Sequence, residues 1–290
     1  MVPQVDLSIF WMGAMRAYLL TTTAIFLSLG VASNAADFQE KFEGKPAVSG
    51  INGKLDIGYS QTNISDVSDE PSAVYGIGSI SFPVAQQFGV QIDAGAARFD
   101  TDPHITAAGI GAHGFWRDPD QGLLGVYGHY VRLSGGGAGG SIWRLGAEGE
   151  AYFDRVSVEA FVGADFVDGD GVDDTFFSGD LVAAFYATDN FRIHAGIGHQ
   201  FDETFAKVGG EAMLPFASNN VALFADAGIG DDTQTYNVGL RIYFGEAGKS
   251  LKDRHRQDDP RSRLLDFFGA AFNAPDDTTT GPAPCTSECG

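Results

Sequence analysis

The sequence is poor in cysteine and in basic residues. Its 290 residues include two cysteines, Cys285 and Cys289. Lys and Arg together number 18, against 38 Asp and Glu, which gives a formal net charge of -20. So few basic groups argue against a nucleic-acid-binding face. Two cysteines alone supply too few ligands for a metal site, although in an oxidising compartment they are candidates for a small disulfide.

Long apolar runs are absent after residue 35, which excludes a spanning helix in the rest of the chain because such a helix needs roughly 20 apolar residues. The apolar segment Ala17–Val31 is itself shorter than that, so a membrane-anchoring helix is the weaker alternative for it. It is followed at 33–35 by Ser-Asn-Ala, small residues of the kind that a signal peptidase reads. We therefore predict a signal peptide over residues 1–35, with 1–14 as an upstream extension.

Residues 49–245 are built from segments in which apolar and polar residues alternate. In the clearest segment, Trp143 and Leu145 alternate with Arg144 and Gly146. About twelve such segments, each of roughly 9–12 residues, have the length of tilted membrane strands, and counts of ten or fourteen remain open. One face is apolar with aromatic ends, and the other carries isolated charges among many glycines. This pattern predicts strands between lipid and water.

A soluble β-sandwich is the alternative for alternating strands. Its polar face would be solvated and richer in Lys, Thr and Ser than the one seen here. The connections also alternate, because short turns such as Arg117–Gln121 follow even-numbered segments and longer Asp- and Gly-rich loops such as Thr62–Ser72 follow odd-numbered ones. Short inner turns and longer outer loops are typical of membrane barrels, so both termini are expected in the periplasm.

The last alternating segment, Tyr236–Phe244, carries a further signal. It resembles the terminal-strand signal of bacterial outer-membrane barrels, which the barrel-assembly machinery reads; the matching residues are Asn237, Gly239, Ile242 and Phe244. Together with the alternation over 49–245, this resemblance implies an all-β, antiparallel, up-and-down transmembrane β-barrel of a Gram-negative, porin-like outer-membrane protein. The resemblance is one of class and identifies no solute.

The chain changes character after Gly245. Lys249–Arg263 is a charged run broken at Pro260, and Asp276–Gly290 is rich in Thr, Pro and Gly. The run Lys249–Pro260 resembles a periplasmic tail of alphaproteobacterial porin-like proteins. We predict that 36–48 is a periplasmic N-terminal segment and that 246–290 is a periplasmic tail, largely disordered or part-helical. A tail that docks to peptidoglycan or to a periplasmic protein is the alternative, and no loop is expected to fold inward as a plug.

The charges on the polar face are the candidate pore-lining groups. Nine are acidic and five are basic, so a conducting lumen would favour cations mildly. The alternative is that these charges pair across strands inside a closed barrel. They are Lys54, Asp56, Asp93, Arg144, Glu148, Glu150, Glu159, Asp165, Asp180, Arg192, Lys207, Glu211, Asp226 and Arg241.

Two groups of residues resemble a calcium site and a lipase site, but each lacks a residue that such a site needs. Asp168, Asp170, Asp173 and Asp174 have the oxygen density of a Ca²⁺ loop without the bidentate Glu that closes an EF-hand, which favours a solvated acidic loop. His129 and Ser134 are the pair that a barrel lipase would need, but no third orienting residue accompanies them. We therefore expect no metal, no cofactor and no enzyme activity.

The best-supported function from sequence is a passive diffusion channel for small hydrophilic solutes. The alternative is a non-conducting structural or adhesion barrel that anchors the envelope through its tail. The expected partners are outer-membrane lipid, the barrel-assembly machinery and the solutes themselves.

Overall fold

The computed structural model describes residues 44–65, 70–135, 138–169, 172–217 and 220–266. The predicted signal peptide and both cysteines lie outside these ranges. Among the described residues, no helix is long and apolar enough to cross a membrane.

Twelve antiparallel strands form one closed barrel, as the alternation predicts. Each strand pairs with its neighbours in sequence, and β12 closes the barrel by pairing with β1, where Asp56 lies opposite Arg241. The strands are β1 (Asn52–Ile64), β2 (Ser72–Ala85), β3 (Phe88–Phe99), β4 (Ile105–Asp118), β5 (Gly122–Gly135), β6 (Ala138–Phe153), β7 (Val156–Gly169), β8 (Val172–Thr188), β9 (Phe191–Gln200), β10 (Glu203–Met213), β11 (Val221–Ile229) and β12 (Thr233–Phe244).

The two faces of the barrel wall differ as period-two alternation requires. On β6, Trp143 and Leu145 point outward and are 58% and 63% exposed, whereas Arg144 and Glu148 point inward and are buried. An apolar outer face with this much exposure suits hydrocarbon rather than water. A polar inner face then needs partners inside the barrel.

The connections define two ends of the barrel. The turn end holds both ends of the barrel chain and the connections that follow β2, β4, β6, β8 and β10; the loop end holds the connections that follow the odd-numbered strands. The loop-end connection between β9 and β10 is Phe201–Asp202, where both residues have positive φ (50° and 61°). Positive φ at both positions is the geometry of a tight two-residue hairpin.

Residues 246–266 are ordered and part-helical, so within the tail predicted to be largely disordered or part-helical they follow the second alternative. After β12 the chain forms a short helical segment over Leu251–Asp258, α-helical at Leu251–Asp253 and then π-helical. Ser250 caps it, because its Oγ accepts the backbone N–H of Asp253 at 3.1 Å. The chain then runs inside the barrel, and Leu264 is fully buried. We call residues 249–266 the luminal tail; residues 267–290 lie outside the described ranges.

The segment before β1 helps to close the turn end. Ala47 and Val48 are buried against Phe115 and Leu123 of the inner wall. Ser49 joins this segment to the luminal tail, because its Oγ donates to the Asp258 carboxylate at 2.6 Å. Residues 45–49 therefore pack on the barrel instead of lying free beside it.

The face assignment predicts that two neighbouring substitutions on β6 differ sharply. Leu145→Asp places a carboxylate on the lipid-facing surface, which costs free energy near the bilayer midplane, and should block membrane assembly. Glu148→Gln changes an inward side chain and should leave assembly intact. Heat-dependent gel mobility of membrane-inserted protein measures both, and equal effects would contradict the assignment.

Candidate functional site: the occupied lumen

All fourteen predicted pore-lining charges project into the barrel, where they are buried or partly buried. Many pair across neighbouring strands. Arg144 donates to both carboxylate oxygens of Asp165 at 2.6 and 2.7 Å. Arg241 bridges Asp56 at 2.7 Å and Glu211 at 2.6 Å. In these pairs, charges on different strands of the wall neutralise each other.

A buried histidine on β4 connects β3 with β6. The ring of His113 lies 3.1 Å from the Asp93 carboxylate and 2.8 Å from the Glu148 carboxylate. Gln91 donates to Asp93 at 2.9 Å. The sequence placed His113 in a strand but gave no reason to connect it with two carboxylates, because register across three strands is invisible in one chain.

Arg263 of the luminal tail attaches to the middle of the wall. Its guanidinium donates to Asp180 at 2.8 Å, lies 3.5 Å from Glu148, and stacks 4.5 Å from the Phe161 ring centroid. The side chain of Arg263 is 4% exposed. Because a buried charge is costly unless it is paired, these contacts fix where the tail lies in the lumen.

A second set of contacts holds the helical part of the tail near the turn end. His255 is flanked by the hydroxyls of Tyr186 and Tyr243, at 3.1 and 3.0 Å from its two ring nitrogens. Arg256 donates to the Val156 carbonyl at 2.9 Å and to Ser157 Oγ at 3.2 Å. The helical part of the tail therefore packs against the start of β7, next to the β6–β7 turn, and against the inner-face tyrosines.

Two lysines of the wall complete the attachment of the tail. Lys54 donates to the Pro260 carbonyl at 2.5 Å, and Gln91 donates to the same oxygen at 3.0 Å. Lys207 lies 3.3 Å from Asp266, the last described residue. Contacts thus run along the whole luminal tail, from strands near the turn end to strand positions in the loop half.

The loop half of the lumen is lined by apolar side chains. Leu264 packs among them, and Leu265 contacts the same cluster. The sequence did not predict this layer, because single inward apolar residues near strand ends look like breaks in the alternation. Its wall members near the loop end are Ala73, Phe99, Ala107, Val131, Ile142, Val167, Phe176 and Phe201.

A narrow cavity of about 120 Å³ remains between the luminal tail and the wall. Its lining reaches from Ser157, next to the β6–β7 turn, to Thr233, the first residue of β12 at the loop end. The tail contributes Asp259, Ser262 and Asp266 to the lining. The cavity therefore follows the tail along much of the barrel.

Charge complementarity explains why the tail enters the lumen. Of the fourteen predicted wall charges, nine are acidic and five are basic, whereas residues 249–266 carry six basic and four acidic side chains. A basic segment inside an acidic, low-dielectric tube is attracted more strongly than it would be in water. The tail thereby offsets part of the negative charge that underlies the predicted cation preference.

The other predicted sites are placed as follows. His129 lies beside Tyr127, whose hydroxyl is 3.0 Å from its ring, whereas Ser134 lies near Thr106 at the loop end; the structure does not bring this pair together. The described residues hold no group of three or more His, Cys, Asp or Glu side chains arranged for a metal. Asp168, Asp173 and Asp174 lie at the loop end of β7 and β8, and Asp170 lies outside the described residues.

The predicted assembly signal lies on the strand that closes the barrel. Phe244 ends β12 and is 53% exposed on the outer face. There is also a structural reason for glycine at position 239, because a Cβ there would lie 2.7 Å from the Phe224 ring and 2.6 Å from the Ile57 carbonyl oxygen. The glycine of the motif is thus required for packing inside the barrel, independently of any recognition.

No family model and no curated protein matches the chain. Solved structures do. An outer membrane channel from Pseudomonas putida F1 is 13% identical, with a TM-score of 0.51 over 71% of this chain and 98% of that one. KdgM porin in complex with disordered oligogalacturonate is 13% identical, with a TM-score of 0.47 over 66% and 99%. The translocator domain of the autotransporter NalP from Neisseria meningitidis is 14% identical, with a TM-score of 0.45 over 77% and 98%. At these identities the similarity shows the fold, that of outer-membrane β-barrels.

Proposed function

We propose that this protein is a porin-like diffusion channel of the outer membrane, for small hydrophilic solutes, whose lumen is narrowed by its own luminal tail. The observation that carries the proposal is the cavity beside the tail, because its lining extends from the turn end to the loop end. A lumen filled only by a packed core would leave no cavity of this extent.

We place the turn end in the periplasm, with both ends of the barrel chain on that side, because four of its five connections are two or three residues long and the connections 65–71 and 100–104 lie at the other end. The motif at Asn237, Gly239, Ile242 and Phe244 then serves as the signal by which the assembly machinery recognises β12. A role in docking to peptidoglycan does not suit residues 249–266, because they are engaged inside the lumen.

Ion selectivity depends on the tail. With the tail in place the lumen retains a small excess of acidic groups, so the channel should prefer cations mildly. Without the tail, six basic side chains leave and the acidic wall is uncovered, so the preference for cations should increase.

A non-conducting structural barrel is the second candidate. The apolar layer around Leu264 favours it, because an apolar constriction in the loop half resists wetting. The two candidates differ in whether the cavity beside the tail is continuous for water and ions.

Planar-bilayer recording of the refolded protein under a salt gradient tests the proposal. The expected result is small, steady openings, with a reversal potential whose sign shows that cations permeate more readily than anions. If the protein is folded and inserted, as judged by gel mobility, but conducts no current at any voltage, the channel proposal is overturned in favour of the structural barrel.

A further inference from the structure

The cavity beside the luminal tail is lined by polar atoms that lack partners. Six side chains that line it each carry a buried oxygen or nitrogen with no hydrogen-bond partner among the described residues. They come from both sides of the cavity. They are Arg192, His194 and Asn237 of the wall and Asp259, Ser262 and Asp266 of the tail.

Three of these residues are buried deeply enough to make an unmet hydrogen bond costly. Asp259 is 2% exposed, and neither of its carboxylate oxygens has a hydrogen-bond partner within the described part of the chain; Arg192 and Ser262 are each 7% exposed. A buried polar group without a partner costs roughly 1–3 kcal/mol. Three such groups around one cavity indicate that the cavity normally holds something that hydrogen-bonds to them.

The required partner must both donate and accept hydrogen bonds. Arg192 Nε can only donate, so it needs an acceptor, whereas the Asp259 carboxylate needs donors. Hydroxyl groups meet both needs, because each has one donor and two acceptor positions.

The partner should also be uncharged. The strongest charges near the cavity are already balanced: Arg192 by Glu159, Lys207 by Asp180 and Asp266, and Arg241 by Asp56 and Glu211. The Asp259 carboxylate is balanced by its electrostatic attraction to Lys54, which leaves its hydrogen-bonding positions unfilled. A charged ligand would add an unpaired charge to this network and pay a large desolvation cost. A neutral molecule avoids that cost.

The volume limits the size of the partner. A cavity of about 150 Å³ holds a molecule of about six non-hydrogen atoms. The cavity here, about 120 Å³, suits a molecule of that size or slightly smaller. We infer that it is a binding site for small neutral polyols, of which glycerol is the simplest example.

This inference rests on the proposed function, since it names the class of solute that occupies the same passage. Binding is measured on the folded full chain in detergent by saturation-transfer NMR with glycerol as the probe. We expect a glycerol signal, and we expect glycine, a zwitterion of similar size, to give none.

Two matched variants locate the site. Ser262→Ala removes one partnerless hydroxyl from the cavity lining and should weaken glycerol binding about fivefold, the effect of one hydrogen bond. Ser60→Ala removes a buried, partnerless hydroxyl that does not line the cavity, and it should leave binding unchanged. Ser262→Leu, which fills the space, should abolish binding while the barrel still folds by gel mobility.

The outcomes separate this inference from the channel function. Ion conductance without a glycerol signal overturns the polyol site and leaves the channel intact, since water alone then satisfies the lining. Equal signals from glycerol and glycine, or equal effects of Ser262→Ala and Ser60→Ala, also overturn it. Glycerol binding to a protein that conducts nothing supports the site and overturns the channel.

Discussion

A chain that ends after Gly248 should conduct several-fold more current per channel than the full chain. This result is expected because the truncation removes the luminal tail, whose side chains fill the middle of the barrel from Pro260 to Asp266. A twelve-stranded barrel is wider than the eight-stranded barrels that side chains alone can fill, so an emptied lumen admits water and ions. Single-channel recording in planar bilayers measures the difference.

A second truncation supplies the control for the first. A chain that ends after Asp266 keeps every described contact of the luminal tail and should conduct like the full chain. The reversal potential should shift toward stronger cation preference only in the shorter chain, because only there do the six basic tail residues leave. Equal conductance for the two truncated chains would contradict the assignment of residues 249–266 as the constriction.

Arg263→Glu should detach the luminal tail from the wall in part of the molecules, and we call this detached arrangement the open state. The new carboxylate faces Asp180 and Glu148, so an attractive contact at 4–7% exposure becomes repulsive. Breaking a buried ion pair costs roughly 3–5 kcal/mol, and about 3 kcal/mol corresponds to roughly a hundredfold change in the ratio of open to closed states. Open probability in single-channel records reports this ratio.

Lys252→Glu is the matched control for this charge reversal. Lys252 belongs to the same tail, but its partner Asp189 is 60% exposed at the turn end. Exposed ion pairs contribute at most about 1 kcal/mol, so this variant should open the barrel far less. If both variants raise the open probability equally, net charge and not the docking of Arg263 controls the lumen.

The strands were predictable from the sequence because alternation is a local property. The alternation of Trp143, Arg144 and Leu145 assigns each side chain to the outer or the inner face from three consecutive residues. The closing strand β12 shows the same alternation. Asp56 and Arg241 lie 185 residues apart in the chain. Their pairing can be predicted only once β1 and β12 are known to be neighbours. The faces could be predicted, whereas the partners could not.

The position of the luminal tail inside the barrel was not predicted, for a physical reason. A charged run such as Lys249–Arg263 is normally solvated, and its composition does not show that a complementary acidic surface exists elsewhere. That surface is assembled from strands distant in sequence, including Glu148 on β6 and Asp180 on β8. The excess of acidic groups on the predicted inner face, together with a basic run directly after the last strand, was the one available signal.

Limited trypsin digestion of the membrane-inserted protein tests the central claim most directly. Residues 249–266 contain six Lys and Arg residues, none followed by proline, so a free tail is cut at each of them. We predict that the bonds after Arg254, Arg256, Arg261 and Arg263 stay intact in the inserted protein and are cut after unfolding, as read by mass spectrometry of the fragments. Rapid cleavage after these residues in the folded, inserted barrel would show that the tail lies outside the lumen.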